Sequence, residues 1–114
     1  MPSAVRTPTI GDLRDRVRLE ALVSTPDGHG GSASSWTIID TVAAAVWPVS
    51  GREAVLAEQM TAVVSSVVWI RYRAGGVSVK SRVRFGARIL EIEDASDPDG
   101  RKVWHRLICS ETAL

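Results

Sequence analysis

Residues 40–60, DTVAAAVWPVSGREAVLAEQM, join an apolar extended run to one short helix through a proline, in a chain otherwise patterned as strands. Pro48 cannot donate to a central ladder, so it ends the preceding strand near Trp47. Ser50 can accept from a first-turn N–H, and Glu53 three residues on can reach back to the Ser50 N–H, the pattern of a capping box. The spacing predicts a helix over 51–61, with Leu56 and Met60 one turn apart beside Ala54, Val55 and Ala57 on a narrow apolar face. Arg52, Glu53, Glu58 and Gln59 fall on the polar side. A lone helix between strands is a topological marker: it fits a plug at one end of a small β-barrel.

The rest of the chain alternates with the period of two that marks half-buried strands. Val17, Leu19, Ala21 and Val23 share one face and Arg16, Arg18 and Glu20 the other, up to a break at Pro26. Asp27, Gly28, His29, Gly30 and Gly31 then form a loop whose glycines permit positive φ. A second strand is expected over 36–47, where the apolar run from Val42 to Trp47 suggests burial on both faces or at a subunit contact. A third is expected over 63–73, with Trp69, Arg71 and Arg73 on one face and Val68, Ile70 and Tyr72 on the other. Gly75 and Gly76 turn the chain into an expected strand over 77–85, and Gly86 reverses it into one over 88–94. Asp97, Pro98, Asp99 and Gly100 make a turn before a last strand over 102–110. The reading is a mainly β chain, a small antiparallel barrel or sandwich of about six strands with one short helix. Residues 1–11, with Pro2, Pro8 and Gly11 among small residues, read as a flexible arm, and 12–114 as one domain.

Length and composition narrow the function classes. At 114 residues and 45% hydrophobic content the chain supports one core, and its net charge of +1 gives no global attraction to nucleic acid or acidic membranes. The longest nearly uncharged run, 41–51, is too short to span a bilayer, and the opening MPSAVRTPTIGD has no apolar signal core. The one cysteine, Cys109, allows no internal disulfide and fits synthesis in a reducing cytoplasm.

No catalytic or metal constellation emerges. His105 and Cys109 lie four apart on a predicted strand, about 13 Å at ~3.3 Å per residue, too far to share one metal. The glycine loop after Asp27 leads into a strand, so the helix N-terminus that would cradle phosphate is missing. Neither an enzyme nor a cofactor-dependent protein is expected.

Charge and tryptophan placement point to surfaces. Arg71, Arg73, Lys80, Arg82, Arg84 and Arg88 form a stretch without an acid, and Glu91, Glu93, Asp94, Asp97 and Asp99 a stretch without a base. Such blocks fit a solvated face, a basic face meeting DNA phosphates, or pairing between copies, where complementary patches set register. The near-neutral total favours pairing over free DNA binding, which scales with the phosphates neutralised. The four tryptophans, Trp36, Trp47, Trp69 and Trp104, all fall on predicted strands. Trp69 beside Arg71 and Arg73 is a mixture enriched at interfaces. Arg-aromatic surfaces also stack on single-stranded nucleic acid, so a small nucleic-acid-binding barrel stands as the alternative.

Taken in order, these pieces resemble the phage head–tail joining family of head-closure, or stopper, proteins. The resemblance runs from the GDLRDRV segment at 11–17 through DGHGG at 27–31 and Trp36, VWPVSGRE at 46–53, IRYR at 70–73 and RVRFGARILEI at 82–92, to LICSE at 107–111. It implies a non-enzymatic virion protein of a tailed phage or gene transfer agent, made in the bacterial host cytoplasm. It implies a homo-oligomeric ring, hexamer or dodecamer, below the portal and adaptor, closing the head over packaged DNA and docking a tail terminator or tail tube. No membrane is involved. Family stoppers project a loop into the channel; by position that is either 25–35, containing Asp27, Gly28, His29, Gly30 and Gly31, or 49–63. Candidate interface residues are Arg52, Glu58, Gln59, Trp69, Arg71, Arg73, Arg82, Arg84, Arg88, Glu91 and Glu93.

Overall fold

A computed structural model describes residues 7–48, 64–98 and 100–111. Its six strands are β1 (Asp15–Pro26), β2 (Ser32–Pro48), β3 (Val64–Arg71), β4 (Ser81–Phe85), β5 (Arg88–Ser96) and β6 (Trp104–Ser110). They close into an antiparallel barrel in the order β1-β2-β3-β6-β5-β4, as a mainly β reading of the sequence requires. Closure leaves no free sheet edge in the barrel body. The expected helix over 51–61, with its cap at Ser50 and its surface residues Arg52, Glu58 and Gln59, lies outside the described residues.

The alternation seen in the sequence becomes the barrel interior. Val17, Leu19, Ala44, Val68, Ile70, Val83, Leu90, Ile92, Leu107 and Cys109 form its buried core, with Val42, Val46, Val77, Phe85 and Ala95 packed around them. A second buried cluster sits on the outside of the barrel wall, made of Ala45, Val67, Trp69 and Trp104 with Leu13 and Trp47 against it. The Trp69 and Trp104 rings meet edge to face, centroids 6.4 Å apart at 87°, the arrangement the ring quadrupoles favour. β3 is therefore buried on both faces from Ser66 to Ile70.

Four expectations change. Trp69 is 1% exposed, so it belongs to the outer cluster and is not offered to a partner. Residues 77–80 are not strand: the Ser81 N–H donates to the Ser78 carbonyl at 3.0 Å, and Val79 is exposed in this turn. The last strand begins at Trp104, after Lys102 takes up φ 60°. Residues 7–11, read as part of an arm, hold a buried Pro8 and lead into a 3-10 turn, Ile10–Asp12. Asp12 caps that turn by accepting from the Thr9 backbone N–H at 2.8 Å, and Leu13 then reaches the outer tryptophan cluster.

Candidate assembly interface

β1 and β2 are longer than the barrel they help to build. They pair along their whole length, from Asp15 opposite Ala44 to Pro26 opposite Ser32. β1 pairs with β4 only over residues 18–21, and β2 pairs with β3 only over 44–48. Beyond those contacts the two strands leave the wall as a two-stranded hairpin, with the backbone edges of 22–26 and 32–43 unpaired to any third strand. Burial stops at the same point: Leu22 is 52% exposed, Ile38 50% and Ile39 42%. The hairpin draws the molecule out to 59 × 28 × 26 Å.

A β-bulge governs what the hairpin displays. Leu19 faces Asp40 whereas Glu20 faces Ile38, so Ile39 is the extra residue. The bulge shifts the alternation of β2 and aligns Ile38 and Trp36 with Glu20 and Leu22 on the outer surface. There the Arg82 guanidinium lies 4.1 Å from the Trp36 ring centroid, a cation–π contact. Arg82 Nε also donates to Glu20 Oε1 at 2.7 Å, and Arg84 approaches Glu20 Oε2 at 3.8 Å. Glu20, only 4% exposed, thus anchors the hairpin's root to β4.

The tip is built rather than loose. Asp27 Oδ1 accepts from the His29 N–H at 2.7 Å and the Gly31 N–H at 3.2 Å. The Asp27 N–H donates back to the Gly31 carbonyl. Gly28 and Gly30 sit at φ 82° and 84°, where a Cβ would add strain.

The structure divides the remaining candidate interface residues. Arg73 is held inside the fold: Nε donates to Asp40 Oδ2 at 3.3 Å, Nη1 to the Gly76 carbonyl at 3.1 Å, and its backbone N–H to His105 Nδ1 at 3.3 Å. Arg88 makes a two-pronged pair with Glu111, both bonds 2.9 Å. Hydrogen bonding to Arg88 holds the Glu111 carboxyl below its ordinary range and raises the Arg88 guanidinium. Arg71 is exposed, as is Glu91, while Glu93 is half-buried.

Two arginines not singled out in the sequence join Arg71 and Arg84. Arg18 lies directly opposite Arg84 across β1 and β4, and Arg16 lies opposite Ala43 on β2. Arg16, Arg18, Thr41, Arg84 and Gly86 line an open hollow of about 300 Å³. On the far side of Ala43, Arg71 borders a second hollow of about 500 Å³ with Tyr72 and Arg73. The alternation had put Arg16 and Arg18 on a polar face, but only the pairing of β1 with β4 brings them to Arg84.

His105 and Cys109 do not form a site. The Cys109 thiol sits in the barrel core, its pKa pushed up to about 12 by burial, which suppresses the reactive thiolate. His105 stacks on Tyr72 with centroids 4.6 Å apart; burial is the main influence lowering its pKa. Among the described residues no group of three His, Cys, Asp or Glu side chains could hold a metal ion. None of the described helical segments is long and apolar enough to cross a membrane.

The described residues thus form a closed six-stranded barrel with a projecting hairpin and charged outer walls. The model of the phage head completion protein family matches residues 8–112, and the chain belongs to that family, whose members are structural virion proteins. The solution structure of protein SF1141 from Shigella flexneri 2a is similar at 31% identity with a TM-score of 0.78, over 93% of this chain and 98% of that one. A chain in the virion of a native gene transfer agent particle shares the fold at 20% identity and a TM-score of 0.58, over 87% of this chain and 94% of that one. No curated protein sequence matches the chain.

Proposed function

We propose that copies of this chain form a ring at the head–tail connector, closing the DNA-filled head below the portal and adaptor and presenting a docking face to the tail. The hairpin carries this reading. An isolated two-stranded ribbon is only marginally stable in water, yet β1 and β2 continue well past the barrel with large apolar side chains and unpaired edges exposed. Such a segment costs a free monomer solubility and gains a use when other chains cover it. In a ring, its compact tip at Asp27, Gly28, His29, Gly30 and Gly31 is the described segment suited to reach toward the channel and the packaged DNA. The chain is expected to be monomeric when purified and to assemble on a portal–adaptor template.

The test replaces residues 23–35 with a two-residue Asn-Gly turn, which preserves the hairpin register. The shortened subunit is expected to fold, with its melting temperature within a few degrees of the parent, while electron microscopy shows DNA-filled heads without tails or heads that have lost DNA. Normal yields of tailed, filled particles would overturn the proposal.

A further inference from the structure

The outer wall of the barrel carries a basic face and an acidic face, which border each other at β4, where Arg82 stands directly opposite Glu91. The basic one is centred on β2. Arg16 and Arg18 project from β1 and Arg71 from β3, flanking the small residues Thr41 and Ala43, and Arg84 closes one end. Among the described residues, Arg16, Arg18 and Arg71 form no ion pair, and Arg84 has only the 3.8 Å approach to Glu20. Like charges directly opposite on paired strands are unfavourable, and Arg18 stands directly opposite Arg84.

The acidic face is on β5. A bulge falls between Ile92 and Asp94. Ile92 and Ala95 both pack toward the barrel core, so the two residues between them, Glu93 and Asp94, turn outward together. Glu93 Oε1 accepts from Ser110 Oγ at 3.0 Å on that outer surface. Glu91 lies between Ser110 on β6 and Arg82 on β4, whose guanidinium is turned to Glu20 and Trp36. Three carboxylates thus share one wall, and none of them is in an ion pair among the described residues. In the strand order, β5 lies three steps from β2 in either direction, the far side of a six-stranded barrel.

We infer that the arginine trough over β2 receives the β5 carboxylate ridge of a second copy. This deepens the ring reading and rests on it. Arg16 with Arg18, and Glu91 with Glu93, each follow the two-residue repeat of a strand, about 6.8 Å, so the opposed charges match in spacing. A two-fold dimer through either face would set like charges against each other. Faces on opposite walls instead join head to tail, the heterologous contact from which rings are built.

Paired cysteines test it. Thr41→Cys stands in the trough floor and Ile89→Cys stands on β5 two residues before Glu91, at the border with Arg84 of β4; Cys109 is buried and does not compete for reagent. Mixed full-length subunits are treated with a short bis-maleimide, both as purified protein at up to millimolar concentration and in assembled particles. The 41-to-89 product is expected at least tenfold above the 41-to-41 and 89-to-89 products, and to fall as salt rises. Arg16→Glu with Arg18→Glu is expected to abolish it. The same chain carrying Glu91→Arg and Glu93→Arg as well is expected to restore it with reversed polarity. Arg18→Glu alone relieves the contact with Arg84, so the free subunit should melt at the same temperature or higher, showing that lost association is not lost folding. Like-with-like products, or no 41-to-89 product in particles, overturn the inference. If the copies cross-link elsewhere, for example between hairpins, the ring survives and this interface falls; a particle holding a single copy sinks both. Short DNA that protects the Thr41→Cys variant from maleimide modification at sub-micromolar concentration assigns the trough to nucleic acid and also overturns it.

Discussion

The inner and outer halves of the β1–β2 hairpin share the same two strands and the same continuous pairing, yet they are different materials. From Arg18 to Ala21 the ribbon has β4 on one side, and from Ala44 to Pro48 it has β3 on the other; Val17, Leu19 and Ala44 are fully buried in this inner half. Past Leu22 both neighbours end, and the same alternation of apolar and polar residues meets solvent. Backbone pairing alone does not make a core. Burial needs a third and fourth strand, and the half without them is available to other chains.

The sharpest break in this comparison uses two leucines three residues apart. Leu19→Ala, in the core, is expected to destabilise the subunit by about 2–5 kcal/mol, read from urea unfolding. At the root between the halves, Glu20→Ala leaves Arg82 and Arg84 without their shared carboxylate. A loss of about 2–3 kcal/mol is expected, together with quenching or recovery of Trp36 fluorescence as Arg82 moves from its ring. An unchanged unfolding curve would show that Glu20 does not anchor the hairpin.

A smaller effect comes from His105 at the barrel's end, whose folded pKa is lowered chiefly by burial. The unfolded chain takes up this proton below the ordinary imidazole pKa of about 6.5, before the folded chain does. Stability from this group is therefore complete above that pH and is lost as pH falls toward the lower folded value. The urea midpoint should drop between neutral and mildly acidic pH, and less steeply in His105→Asn. Equal slopes in the two proteins would rule out His105 as the cause.

The smallest effect on folding belongs to the outer half. Leu22→Ala and Ile38→Ala are each expected to change stability by no more than about 0.5 kcal/mol. Incorporation into particles, measured by the amount of the chain in purified virions, should nevertheless fall. Variants that assemble normally would make the exposed apolar surface incidental.

Much of this division was legible residue by residue. The period of two put Val17 with Leu19, and Val68 with Ile70, on the faces that turn inward, and Pro26, the Asp27–Gly31 turn and Gly86 marked where strands reverse. Trp69 shows where the pattern misleads. Its sharing of a face with Arg71 suggested a contact surface, because nothing local reveals that Trp104, Ala45 and Val67 converge to bury it on the barrel's outside. Val79 misleads in the opposite sense: a β-branched residue in an alternating run lies exposed in the turn closed by the Ser81 N–H on the Ser78 carbonyl. The candidate interface was partly visible. The basic and acidic runs along the chain were plain, but Arg73 and Arg88 are consumed by internal pairs with Asp40 and Glu111. Arg16 and Arg18, from a distant strand, complete the basic face instead.

The sequence by itself determined that this chain is mainly β, with about six antiparallel strands and a loop at 27–31 between the first two, because alternation, proline stops and glycine turns act over a few residues. The tertiary structure alone decided where the β1–β2 hairpin leaves the wall and which charges are neutralised. Those depend on where β3 and β4 end beside it, on two bulges that re-aim Trp36 and Asp94, and on a strand order that sets β2 and β5 on opposite sides. Such long-range pairing has no local signature, since the groups that fix it lie tens of residues apart.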